Sequence, residues 1–491
     1  MVEWADFPIS GRMWRSGDET LTTRAMASLE NVIPNDAGGH SRFPGLEYFA
    51  IFPGKKVFLR NYKDELYAGT DLGQLWRVSS LGNAVDVTGV PISGGRRWTF
   101  SETDDGAMLM AAGGPIIRLS GNTTDALSPA APETTHVAYI DGYVLALERE
   151  SNRWQYSNPG EPSVWDPLNV FSANAVGEKA NHLIVTPYRE IIVGGEKHME
   201  QWETQPNGDQ PFARRWTTGQ GCKYPYTLVS DATGTYGVNG RNEFVRFAGQ
   251  VSQEQSEDIA EALDLIDDWT EAWAAEMTMF GQRMIALVTP NATNLYGTKG
   301  VAFAYDYRAH KFMFLYGPAR QGLPTAWPVT SVARAYGRMF AGVPGGVAVF
   351  DQDCCQVLGE EQRCLIRTPH VDKFGTSRID DLRIRLKRGE GIKDRPLRRE
   401  PSSPYLRENY RQLLREAPLP QEGMVGLRVN RDNEGWDEWQ WEPTGDHGEN
   451  QMVIRFGGQG CADTWQFELA VSDAVPFELV KMQVYVERLS R

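Results

Sequence analysis

His136-Val-Ala-Tyr-Ile-Asp141-Gly142-Tyr143-Val-Leu-Ala-Leu147, followed by Arg153-Trp-Gln-Tyr156, reads as three short strands joined by tight turns. Apolar side chains gather in runs short enough for strands and too short for helices, and polar residues punctuate them. Asp141-Gly142 is the kind of dipeptide that accepts positive φ at both corners of a two-residue hairpin. Working outward, the same unit recurs. Upstream it runs Val57-Phe-Leu-Arg-Asn-Tyr62, turn Lys63-Asp64, Glu65-Leu-Tyr-Ala-Gly69, a turn around Asp71 and Gly73, then Gln74-Leu-Trp-Arg-Val78. A second copy starts at Arg97-Trp98, turns at Thr103-Asp-Asp-Gly106, and continues through Ala107-Met-Leu-Met-Ala111 and Ile116-Ile-Arg-Leu119.

Four more follow. They span His182 to Trp202 with a break at Arg189-Glu190, Tyr226 to Phe247 with Thr233-Gly234, Met277 to Tyr307 with Gly281-Gln282, and Val329 to Phe350 with Tyr336-Gly337. The spacing of roughly 40 to 55 residues is that of a propeller blade. One such sheet cannot bury both faces by itself and does so against its neighbours around an axis. The expectation is an all-β chain with a β-propeller of about seven blades. The competing reading, unrelated hairpins in a sandwich, requires seven similar units to arise separately.

Ser252 to Glu276 breaks the pattern. Ile259, Leu263, Ile266, Trp269 and Trp273 are spaced as one face of a helix, which predicts an acidic helical insertion over 252–276. Glu254, Glu257, Asp258, Glu261, Asp264, Asp267, Asp268, Glu271 and Glu276 have no Lys or Arg among them. Glu257, Asp258, Glu261, Asp264, Asp267 and Asp268 are the candidates for a surface facing a partner or a DNA passage; a merely solvated helix face is the plain alternative.

Beyond Asp351 the composition shifts. Arg383 to Glu416 holds eleven Lys or Arg against five Asp or Glu, and Pro396, Pro401 and Pro404 lie among its charges. This composition predicts an exposed basic loop over 393–404, in which Lys393, Arg395, Arg398 and Arg399 are candidates for docking an acidic partner. Ile379–Leu386, Val425–Val429, Met452–Phe456, Trp465–Val471 and Val480–Val486 alternate as strands do and predict a sandwich-like domain. The expected division is a lead-in segment 1–50, a propeller 51–355 and a C-terminal β domain 356–491.

The formal charge of −14 argues against a general nucleic-acid coat, whose affinity comes from Lys and Arg displacing counterions. The five cysteines have no framework spacing and are expected as reduced thiols. No basic-then-apolar leader and no run of about 18 apolar residues occurs, so neither export nor membrane spanning is expected. No Walker loop, Gly-x-Ser-x-Gly elbow, His-Glu-x-x-His or Cys-x-x-Cys pair is present, and the seven histidines are scattered. The expectation is therefore no enzyme, no catalytic residues, no cofactor and no metal. The catalytic alternative is a glycan-binding or glycoside-hydrolysing propeller: Ser101-Glu-Thr-Asp104-Asp-Gly106 resembles the start of an Asp-box turn, but no carboxylate pair stands out.

Trp154-Gln-Tyr156-Ser157, Pro162-Ser163-Val164-Trp165-Asp166-Pro167-Leu168 and Phe171-Ser172-Ala173 resemble segments of the tail nozzle proteins of short-tailed (podovirus) phages, also called packaged-DNA stabilisation or tail accessory proteins. Arg189-Glu190, Gly194-Gly195, Glu200-Gln201-Trp202, Pro211-Phe212 and Gly221-Cys222 extend the resemblance. Pro44-Gly45-Leu46 resembles that family's first strand, and Arg455-Phe456, Trp465-Gln-Phe467 and Val471-Ser472-Asp473 a closing strand motif. The resemblance covers about two-thirds of the chain; the basic loop 393–404 has no counterpart in it. It implies a homohexameric ring in the virion tail, below the portal and the adaptor (head-to-tail connector), made in the bacterial host cytoplasm. DNA leaves through the ring without sequence-specific binding, and tail fibres or spikes attach around it.

Overall fold

A computed structural model describes residues 2–9, 28–34, 39–174, 177–205, 210–307, 310–320, 323–389, 423–444, 449–450, 452–473 and 475–489. Lys393, Arg395, Arg398 and Arg399 lie outside the described residues. The chain divides into two compact units, Leu46–Phe312 with Thr325–Phe350, and Met1–Gly45 with Met313–Pro324 and Asp351–Arg491.

The first unit is a β-propeller whose described strands form seven antiparallel blades. Blade 1 consists of Val57–Tyr62, Glu65–Thr70, Leu75–Val78 and Ala84–Asp86, and blade 2 of Thr99–Glu102, Met108–Ala111, Ile117–Ser120 and Thr123–Ala126. Blade 3 consists of Thr134–Ile140, Tyr143–Glu148, Arg153–Asn158 and Glu161–Ser172, and blade 4 of His182–Val185, Ile191–Gly194, Met199–Thr204 and Phe212–Thr217. Blade 5 comprises Val229–Ser230, Thr235–Val238, Phe244–Ala248 and Val251–Glu254. Blade 6 comprises Trp273–Met279, Gln282–Thr293, Lys299–Asp306 and Lys311–Phe314. Blade 7 takes Ser331–Ala335, Arg338–Val343 and Gly346–Asp351 from one end of the propeller sequence, and its outer strand, Gly45–Ile51, from the other.

The three-strand meander read from sequence is thus the inner part of each blade, and a fourth strand, more exposed in blades 1 to 5, completes it. The hairpin between the first two strands is set by positive φ at Lys63 and Asp64, Asp141 and Gly142, Phe280 and Gly281, and Tyr336 and Gly337. In blade 6 the turn sits one residue earlier than Gly281-Gln282, because Gln282 already pairs with Met279.

Apolar clusters lie between neighbouring blades, as a ring of sheets requires. Phe58, Leu75, Trp98, Met110 and Leu119 join blades 1 and 2; Leu109, Val137, Val144 and Trp165 join blades 2 and 3; Ile192, Met199, Val245 and Phe247 join blades 4 and 5. At the closure, Ser331 Oγ donates to Val57 O at 2.7 Å and accepts from Leu59 N at 3.0 Å, while Tyr336 OH donates to Val78 O at 2.7 Å. Pairing the strand that precedes blade 1 with blade 7 closes the circle without a covalent link.

The expected helix over 252–276 is much shorter. Val251–Glu254 is the outer strand of blade 5, Glu257–Ile259 is a 3-10 turn, Ala260–Asp264 is helical, and Trp273 starts blade 6. Ile259, Leu263 and Ile266 are buried as the periodicity implied. The helix stops because the next carboxylates bind backbone outside it: Asp267 accepts from Thr293 N at 2.8 Å and Asp268 from Thr270 N at 2.8 Å. Trp269 then stacks on Tyr224, with ring centroids 4.6 Å apart.

The second unit is a sandwich of two sheets. One contains Val2–Asp6, Val32–Pro34, His40–Arg42, Ser377–Leu386, Val453–Ala462 and Glu478–Arg488, and the other Ser28–Glu30, Cys364–Arg367, Met424–Arg431, Gln440–Pro443 and Trp465–Val471. Of the residues taken as a lead-in segment, Val2–Asp6, Ser28–Glu30, Val32–Pro34 and His40–Arg42 are therefore strands of this unit, while Gly45–Ile51 belongs to blade 7: Val2 to Asp6 pair with Gln483 to Glu487. Phe7 meets Phe467 edge to face at 4.9 Å, and Trp465 Nε1 donates to Ser377 Oγ at 3.0 Å between the sheets. All five cysteines are unbridged. Among the described residues no helix is long and apolar enough to cross a membrane, a statement that does not extend to strands.

Candidate functional site

The first strand of each blade is the innermost, and first strands touch between blades 2 and 3, 3 and 4, 5 and 6, 6 and 7, and 7 and 1. A side chain at the start of such a strand therefore points towards those of the other blades, and this is where polar groups converge. Arg97, just ahead of the first strand of blade 2, places its guanidinium 4.4 Å from the ring centre of Trp273 in blade 6 and 5.3 Å from that of Phe58 in blade 1. It donates to Thr330 O, beside blade 7, at 2.7 Å. His136 of blade 3 stacks on Tyr226, which leads into blade 5, with centroids 5.2 Å apart and planes 16° from parallel. His182 of blade 4 is fully buried and lies near enough to His136 and His198 to feel their charge. Residues of all seven blades thus come near one another around the axis, and Trp273 and His136 are buried there.

The electrostatics follow from burial. Desolvation lowers Arg97 to about 10 and His136 to about 4, and it lowers His182 to about 3 with help from the neighbouring histidines. Tyr226 is pushed up to about 12 by burial, against the pull of Arg96 and Arg97. Cys222 rises to about 11 for the same reason, which keeps it a thiol. Beside His182, His198 Nδ1 contacts Glu178 Oε1 at 2.6 Å, and buried Glu200 accepts from Trp202 Nε1 at 3.1 Å and Arg214 at 3.2 Å. Among the described residues no group of three or more His, Cys, Asp and Glu is placed to hold a metal ion.

The acidic segment forms the crossover from blade 5 to blade 6. Glu257, Asp264 and Asp267 are exposed, and Asp258, Glu261 and Asp268 are half-buried. Asp258 sits close enough to Lys311 to favour its charge. Hydrogen bonds from Thr293 and Thr270 hold the carboxyls of Asp267 and Asp268 below the ordinary carboxylate range. Asn291 Nδ2 donates to Thr270 O at 3.0 Å, and the segment ends with Glu271, at φ +65°, paired with Lys56 of blade 1. Of the six candidate acids, Asp267 and Asp268 are thus tied to backbone groups of the crossover from blade 5 to blade 6.

Sequence reading singled out these acids but not Lys56, Arg96, Arg97, His136, Tyr226, Glu271 or Trp273. A signal was present: Arg97, His136, His182 and Tyr226 each open a repeat unit, so superposing the repeats brings them to one level. That level becomes a site only once the circle closes.

Among the residues that carry the family resemblance, the aromatic residues and Cys222 are packing residues. Trp154, Tyr156, Phe171, Trp202 and Phe212 form one aromatic cluster between blades 3 and 4, Trp165 lies in the joint between blades 2 and 3, and Cys222 in that between blades 4 and 5.

No protein-family model and no curated protein matches the chain. Among solved structures it is similar to BamB from Moraxella catarrhalis, at 10% identity and TM-score 0.37 over 62% of this chain and 96% of that one. It is similar to virginiamycin B lyase from Staphylococcus aureus, at 8% identity and TM-score 0.38 over 71% of this chain and 99% of that one. It is also similar to the extracellular domain of BT4673 from B. thetaiotaomicron, at 11% identity and TM-score 0.43 over 91% of this chain and 61% of that one. These are likenesses of fold.

Proposed function

We propose that the chain is a structural subunit of the tail nozzle of a short-tailed phage. In this reading six copies form a ring below the portal and adaptor, which retains packaged DNA, gives its exit passage during ejection and carries fibres or spikes. The observation that carries it is the acidic surface from Glu257 to Asp268: a run without Lys or Arg, partly exposed, whose Asp267 and Asp268 are fixed by hydrogen bonds from Thr293 and Thr270. Such a surface lining a passage lets DNA slide, because each phosphate contact it avoids removes a counterion-release contribution to binding. A closed ring also needs two different complementary surfaces on each subunit.

The test is the mass of the purified chain in solution, alone and with its adaptor, together with negative-stain images. A sixfold ring with a central hole is expected at least in the adaptor complex. A chain that stays monomeric with the adaptor and releases reducing sugar from a glycan panel would replace this reading with a glycan-acting tail propeller.

A further inference from the structure

Arg96 and Arg97 are adjacent cations at the axial mouth of a chain with a formal charge of −14, yet neither forms an ion pair among the described residues. Arg97 is half-buried, and its one hydrogen bond, to Thr330 O, leaves most of its five N–H donors unused. Removing a guanidinium from water without a counter-charge is costly, and partners normally offset that cost. The flanking rings of Trp273 and Phe58 hold the group in place but do not neutralise it. Glu271, the carboxylate nearest in effect, is engaged by Lys56. Tyr226 lies within electrostatic reach of both arginines, and its hydroxyl makes no hydrogen bond to a described residue.

We propose that the axial mouth binds an oxyanion, the carboxylate or phosphate group of a small ligand, seated on Arg97 and completed by Arg96 and the Tyr226 hydroxyl. A planar guanidinium presents two parallel N–H groups to either anion, which gives direction as well as charge. Trp273 fixes the depth of the seat, because its buried indole backs the guanidinium. Glu271 is the competitor: it offers negative charge at the same mouth and is drawn off only in part by Lys56. The site belongs to the single propeller and does not depend on ring assembly.

The experiment is thermal melting and calorimetric titration of the full chain with inorganic phosphate and with succinate, against sodium chloride at matched ionic strength. A saturable response to phosphate, to succinate or to both is expected, and which of them responds identifies the preferred group. Arg97→Gln should abolish it, and Arg97→Lys should weaken it at least tenfold because the fork is lost. Tyr226→Phe, which keeps the stack on His136, should weaken it several-fold, and Glu271→Gln should strengthen it several-fold. Should Arg97→Gln fail to fold, the Tyr226→Phe and Glu271→Gln pair decides. Equal responses to chloride and the oxyanions, or binding unchanged across these variants, would overturn the proposal.

Discussion

Trp154 of blade 3 and Trp202 of blade 4 pack edge to face across the joint between their blades, with ring centroids 5.4 Å apart and planes 80° apart. Trp154 is fully buried, and Phe171 and Phe212 complete its surroundings. Trp154→Ala removes the largest side chain of a close-packed joint, and a destabilisation of about 3–5 kcal/mol is expected. Denaturant unfolding followed by the remaining tryptophans measures it, with Trp154→Phe expected to lose much less.

Glu468 is fully buried in the second unit between two cations, Arg367 at 2.6 Å and Arg428 closer still. Trp436 covers both guanidinium groups, at 5.7 Å and 4.9 Å. Removing the carboxylate strands two cations, so Glu468→Ala is expected to cost about 3–5 kcal/mol. Limited proteolysis between Cys364 and Val471 reads the loss locally, since it opens that sheet.

Stability should fall as the pH drops below about 6.5, the ordinary histidine value. His136 and His182 are held neutral by burial, with values lowered to about 4 and about 3, so in this range the unfolded chain binds more protons than the folded one. Their contribution is complete above the unfolded value and is lost as the pH falls towards the folded ones, by roughly tenfold in the folding equilibrium per pH unit for each histidine. Urea midpoints between pH 7 and pH 4.5 check this, and His136→Gln should flatten the slope.

Closure of the propeller depends on Gly346. A Cβ there would stand 2.0 Å from the carbonyl oxygen of Ala50 in the closing strand, and φ is +150°. Gly346→Ala is expected to force the closing strand outward and to cost about 1–3 kcal/mol. Hydrogen exchange should then show faster exchange at Gly45–Ile51 than in the inner strands, whereas Gly219→Ala, with open space around its Cβ and no positive φ, leaves the closing strand in place.

What could be read before folding was whatever neighbouring residues decide among themselves. The period of the hairpins, the turns at Lys63-Asp64, Asp141-Gly142 and Tyr336-Gly337, and the buried stripe Ile259, Leu263 and Ile266 all express short-range sterics and side-chain periodicity. The acidic run is likewise a matter of composition. Tertiary structure decided whatever joins residues far apart in the chain. Gly45–Ile51 completes blade 7, some 300 residues away along the sequence, and Val2 to Asp6 become strands beside Gln483 to Glu487. The predicted helix lost its start to the outer strand of blade 5 and its end to tertiary contacts, the hydrogen bond of Thr293 to Asp267 and the stack of Trp269 on Tyr224. Arg97, Tyr226 and Trp273 come together only because the closed circle turns equal positions in separate repeats into one site. A repeated sequence can specify the wedge; the number of wedges that fill a circle, and what meets at its centre, follow from the packing between them.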